Sequence, residues 1–210
     1  MESIFDNILW TEWVCLAAAI LYTICYKKLS NLERWIVVLL WSNVLADRIA
    51  SINLNSDYNL SGIIYNQLAP FQRAVTLLIY YAYLKSVKIK KLNLIGLVAV
   101  LCIHAAGWAI YGDVSVFHRD IFIYSGLIVA VLSYLTLQEI ILNQNEISTV
   151  IIAFCMGSFA YLTLMASAHS AVELIYEQDK SMGELVYLGN DIGYAIWSLS
   201  LITAILWRIR

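Results

Sequence analysis

Charge is what this 210-residue chain has least of. Lys, Arg, Asp and Glu make up 13% of it, about half the share of a soluble domain, too little to clothe the chain in an aqueous surface. One proline and nine glycines leave few helix breakers. Strands of a membrane barrel would alternate over about ten residues, whereas the apolar runs here are long and continuous. The spans that they mark hold no lysine, which excludes a retinal Schiff base in the last helix. The four cysteines, Cys15, Cys25, Cys102 and Cys155, lie far apart in apolar segments without CxxC spacing and read as buried thiols. There is no phosphate-binding glycine loop and no dinucleotide fingerprint, so no cofactor is indicated. A formal net charge of -2 offers nucleic acid nothing to grip.

What is present is hydrophobic: 61% of the residues, in stretches close to the roughly 20 residues that cross a bilayer. The expected fold class is all-α, a polytopic membrane protein with a seven-helix bundle forming a single domain over residues 1 to 210. Breaks in apolarity place the spans at 8 to 26, 33 to 52, 62 to 84, 92 to 111, 120 to 142, 148 to 176 and 183 to 207. Glu2, Asp6 and Glu12 stand where a secretory signal would carry Lys or Arg, so the first span is expected to be retained. Lys27, Lys28, Arg34, Lys85, Lys88, Lys90, Lys91, Arg208 and Arg210 gather at one set of span ends, facing an acidic opposite set. Basic loops stay inside, so the N-terminus is expected outside and the C-terminus in the cytoplasm, a multi-pass inner-membrane topology.

Depth then follows at 1.5 Å per residue. Arg73 falls near the midplane, about 15 Å in, where an unpaired charge costs about 3 kcal/mol or more. It needs a polar interior, and Asp47 and Asp191 are its expected partners, with Glu173 higher up. Asn43 and Asp47 are four apart, as are His169 and Glu173; Tyr187, Asp191 and Tyr194 follow one stripe, beside Asn190. Asn66, Pro70 and Arg73 share a face, as do Tyr161 and His169. Pro70 cannot donate to Asn66, so the third helix is expected to kink there. Such residues can simply tie helices together. But Glu12, Asp47, Glu173 and Asp191 outnumber the buried arginines Arg48 and Arg73, and excess buried carboxylate calls for water, protons or a cation. The expected site is therefore an outward-facing polar cavity comprising Asn43, Asp47, Arg48, Asn66, Arg73, Tyr161, His169, Glu173, Tyr187, Asn190, Asp191 and Tyr194. His104 reads as a packing contact and His118 as solvent exposed.

Three functions fit this pattern. The first is a receptor, sensor or accessory protein that binds a small molecule or ion and, having no output domain, signals through a membrane or cytoplasmic protein partner. The second is a transporter or homo-oligomeric pore along an Asp/Arg/Glu path, weakened by the odd helix number and the lack of an evident repeat. The third is a metal-dependent hydrolase on His169 and Glu173, whose i, i+4 spacing is necessary for shared ligation but common. The stretch "IIYNQLAPFQRAVTLLIYYAYLK", with Tyr65 and Asn66 ahead of an intramembrane charge, resembles small uncharacterised multi-pass membrane proteins of flavobacterial type, where an acidic residue is more usual than Arg73. The resemblance implies a bacterial inner-membrane protein of similar architecture and supplies no activity.

Overall fold

The computed structural model describes residues 10–52, 60–113, 117–143, 148–176 and 180–209. Among them every regular element is helical: α1 Trp10–Ile24, a 3-10 turn Tyr26–Lys28, α2 Arg34–Ile52, α3 Leu60–Tyr83, α4 Val87–Tyr111, α5 Arg119–Asn143, α6 Thr149–Tyr176 and α7 Lys180–Ile209. The ends fall close to those that apolarity predicts. The largest shift is at α4, which begins at Val87 and takes Lys88, Lys90 and Lys91 into its first turns. The Ser86 hydroxyl caps it by accepting the Ile89 N–H at 3.4 Å. The buried carboxylate of Glu139 on α5 accepts the N–H groups of Lys85 and Ser86, at 2.7 and 2.5 Å. At its other end Gly112, at φ 64, closes the helix through a bond to the Trp108 carbonyl at 3.2 Å, in the left-handed conformation that glycine adopts without penalty.

Helices adjacent in sequence pack against one another, and α1 closes on α7 to complete a ring. A direct contact between α3 and α5 leaves α4 on the outside, the least buried of the four long apolar helices. At one end of the bundle Glu12 on α1 pairs with Arg48 on α2 at 2.7 Å, and the Asn66 side chain of α3 accepts the His118 N–H before α5 at 3.0 Å. This is the acidic end. The basic end gathers the α1 to α2 connection, the α6 start and the α7 finish. Along α6 and α7 the backbones meet closely: a Cβ on Gly157 would lie 2.6 Å from the Ser200 hydroxyl and 3.0 Å from the Trp197 Cα, and one on Gly193 would lie 3.2 Å from the Tyr161 Cα.

The surface is built for lipid. Outward positions carry Ile20, Ile24, Leu45, Ile49, Leu78, Leu94, Ile95, Val98, Val131 and Leu199, all exposed, which in water would be a severe cost. α4, α5, α6 and the Leu188–Ile209 part of α7 are each long and apolar enough to cross a membrane. α2 carries Asn43, Asp47 and Arg48 among its apolar residues, and α3 carries Asn66, Gln67, Gln72 and Arg73. The described part of α1 is apolar but only 15 residues long. α3 runs through Pro70 as one helix.

Candidate functional site

A cavity of about 60 Å³ lies inside the ring, lined by α2, α3, α5, α6 and α7. Its polar surface comes from Asn43, Gln72, Arg73, Thr76, Ser158 and Tyr161, and its apolar surface from side chains including Phe122, Met165 and Trp197. The polar residues come from α2, α3 and α6, each of which turns a polar stripe inward, while α5 contributes Phe122 and Val129 and α7 the Trp197 ring. The Gln72 amide donates to Ser42 at 3.0 Å and to Asn43 at 3.1 Å, fastening α3 to α2.

Arg73 is buried, with 5% of its surface exposed. One Nη1–H donates to His104 Nε2 of α4 at 3.1 Å and the other to the Ser125 hydroxyl of α5. Nη2 donates to the Phe122 carbonyl at 2.8 Å, and the guanidinium carbon stands 4.3 Å from the centroid of the Phe122 ring. The expected pairing with Asp47 or Asp191 is not what the fold makes: Arg73 reaches across to α4 and α5, and its partners among the described residues are all neutral. Helical spacing puts Arg73 on an inward face of α3, but only the α3 to α5 contact decides which neighbours it meets. His104, expected as a packing contact, is thus also a ligand of the arginine.

Above the cavity, toward the acidic end, Asp47 of α2 accepts the hydroxyls of Tyr65 of α3 at 2.9 Å and Tyr194 of α7 at 3.1 Å. One carboxylate therefore spans three helices. Below it an aromatic column descends through the wall. Tyr194 lies 5.6 Å from Tyr161 and 6.1 Å from Trp197, Trp197 6.4 Å from Phe154, and Phe154 5.7 Å from Tyr80, centroid to centroid.

The basic side of the cavity is sealed. One turn beyond the lining residues Leu39, Thr76, Val129, Ser158 and Trp197 stand Ile36, Tyr80, Ser133, Phe154 and Leu201, every one of them 0% exposed. The Tyr80 and Ser133 hydroxyls bond to each other at 2.7 Å, and Ser133 donates to the Val129 carbonyl at 2.7 Å. Lower still is a charge cluster on Glu33, which is 1% exposed. Its carboxylate accepts the Ser30 N–H at 2.7 Å, the Ser148 hydroxyl at 2.6 Å and Arg208 at 2.5 Å. The Ser30 hydroxyl accepts the Glu33 N–H at 3.3 Å, which makes a reciprocal capping box. Burial pushes this carboxyl up, but the bonds from Ser148, Ser30 and Arg208 outweigh burial and hold it below its ordinary value.

The remaining expected residues divide. Arg48 lines a separate small groove with Glu12, Trp13, Leu16 and Val44 and is not part of the central cavity. Asn66 is buried against the segment before α5. His169 is half-buried between the rings of Phe117 and Phe122, each 5.8 Å away. Asn190 and Asp191 are half-buried on α7, while the side chains of Glu173 and Tyr187 lie outside the described residues. Among the described residues no three His, Cys, Asp or Glu side chains converge as metal ligands. His118, expected in solvent, is buried, because the end of α4 packs against it: its ring lies 4.6 Å from the Tyr111 ring and 3.0 Å from the Asp113 carbonyl. Cys15, Cys25 and Cys155 are buried as expected, but Cys102 faces outward from α4.

Sequence reasoning missed Glu33, Glu139 and Ser125. The spacing Ser30, Asn31, Leu32, Glu33 is a capping-box signature and could have drawn attention to Glu33; neither of the others carries such a signal. No protein-family model, no curated protein and no solved structure matches the chain.

Proposed function

We propose that this is a seven-span protein of a bacterial inner membrane, N-terminus outside, that acts as a receptor, sensor or accessory subunit and binds a small solute in its central cavity. Support for seven spans comes from α1, α2 and α3, which present Ile20, Ile24, Leu45, Ile49 and Leu78 outward as the four longer apolar helices do. Support for the direction comes from Lys27, Lys28, Lys85, Lys88, Lys90, Lys91 and Arg208, which lie at the ends of α1, α3 and α7 and the start of α4.

The observation that carries the binding reading is the sealed layer of Ile36, Tyr80, Ser133, Phe154 and Leu201. A blind cavity holds a solute; a pore or carrier would have to part that layer and the Glu33 cluster beneath it. Transport is the second reading, favoured by the Asp47 carboxylate and its two tyrosine hydroxyls. Any output would pass through partner contacts at the basic end. Reconstituted liposomes test this. They are expected to hold proton and halide gradients as tightly as empty vesicles, with or without Asp191→Asn. Flux above the empty-vesicle rate that Asp191→Asn abolishes would replace the receptor with a transporter.

A further inference from the structure

Arg73 places a permanent positive charge on the wall of the cavity, and nothing described in the protein neutralises it. An arginine keeps its proton in proteins and has five N–H donors. Three are taken by Ser125, His104 and the Phe122 carbonyl, all neutral. The other two have no acceptor among the described residues. Tyr161 and Trp197 line the same cavity, and neither the phenol nor the indole N–H has a hydrogen-bond partner among the described residues. The nearby acids are engaged elsewhere: Asp47 by Tyr65 and Tyr194, Glu12 by Arg48. Unspent donors around a buried cation describe a place for negative charge, because in a low dielectric such a charge is costly until a counter-charge or polar ligand meets it. The cavity, about 60 Å³, accepts a few waters or one monatomic anion and falls far short of the roughly 300 Å³ of ordinary organic-ligand sites.

We propose that the cavity is an intramembrane anion site that takes one halide-sized inorganic anion against the Arg73 guanidinium, with Tyr161 and Trp197 as further donors. This rests on the reading of the cavity as a binding site and names its ligand class. Asp47 and its two tyrosines cover the approach from the acidic end.

The test uses the full-length protein purified in gluconate, an anion too large for the cavity, and titrated with sodium bromide at constant ionic strength. The expected result is a saturable rise in melting temperature together with saturable quenching of Trp197 fluorescence, taken as the signal lost in Trp197→Phe. Arg73→Gln is expected to abolish both effects, Arg73→Lys to weaken the affinity by about tenfold or more through loss of the guanidinium fork, and Lys91→Gln, on the exposed basic surface, to change neither. Should Arg73→Gln fail to fold, Tyr161→Phe in an otherwise intact site is expected to raise the half-saturating bromide concentration severalfold. No bromide effect on the wild type, or the same effect in Arg73→Gln, would overturn the anion site; so would an unchanged half-saturating concentration in Tyr161→Phe. The liposome measurement separates the two conclusions. Tight vesicles without bromide binding leave the receptor reading and remove the anion, while bromide binding with Asp191-dependent flux keeps the anion and removes the receptor.

Discussion

Glu33 is the most consequential single side chain at the basic end, and replacing it gives a quantity that the geometry sets. Glu33→Ala removes one half of the capping box together with the acceptor for Ser148 and Arg208. Breaking a buried ion pair costs about 3–5 kcal/mol when the orphaned partner stays buried. Arg208 is 33% exposed and can turn to water, so the expected loss is about 2–3 kcal/mol. Glu33→Gln retains an acceptor for the Ser30 N–H and the Ser148 hydroxyl but surrenders the charge, for about 1–2 kcal/mol. Combined with Arg208→Ala in a double-mutant cycle, the pair is expected to couple by about 1 kcal/mol. Unfolding by SDS titration in mixed micelles, followed by far-ultraviolet circular dichroism, measures each term. The pH dependence has a definite sign. The folded carboxyl lies below its ordinary value, so the unfolded chain takes up the proton first on acidification. The stability that Glu33 contributes is complete above the ordinary carboxylate range and is lost as pH falls through the lowered folded value. The gap between wild type and Glu33→Gln should therefore close on acidification. An additive cycle, or a gap that is constant down to about pH 3, would refute the reasoning, since a charged native carboxylate is the source of both effects.

Asp47→Asn is expected to cost about 1–2 kcal/mol, because the two tyrosine donors lose a charged acceptor. Tyr65→Phe and Tyr194→Phe should then each cost less in the Asp47→Asn background than in wild type, and equal costs in both, by the same SDS titration, would show that the carboxylate does not join the three helices. Gly157→Ala sets a methyl against the Trp197 Cα and the Ser200 hydroxyl, so α6 and α7 must part, at about 1–3 kcal/mol. Gly189→Ala, with nothing within 4 Å of its new Cβ, should be close to neutral, and similar melting temperatures for the two variants would contradict the close packing.

Much of the helical frame could be read from the chain. Continuous apolar runs have only one way to satisfy their backbone in lipid, and that is the helix, so the ends of α2, α5 and α6 fall within a residue or two of the apolar breaks. The α4 start was harder to read, since its first turns carry lysines and its anchor, Glu139, is 53 residues away in sequence. The candidate site was legible by halves. Asn43, Arg73 and Tyr161 do line one cavity, and Asp47 and Tyr194 close over it, because helical periodicity assigns residues to faces. Periodicity describes one helix about its own axis and says nothing of its neighbours. Arg48 and Asn66 therefore share polar stripes with cavity residues and yet point into other contacts.

Local sequence was enough to set the apolar surroundings, the helices, the inward face of Arg73 and the separation of basic from acidic ends. Each of these depends on local composition and on the periodicity of the helix. Tertiary structure alone decided that Arg73 turns to His104 and Ser125 rather than to an acid, that Glu33 joins Ser148 and Arg208, and that five residues from five helices seal the cavity on one side. Those facts depend on which helices touch and at what rotation, and such choices are made by the packing of the whole ring.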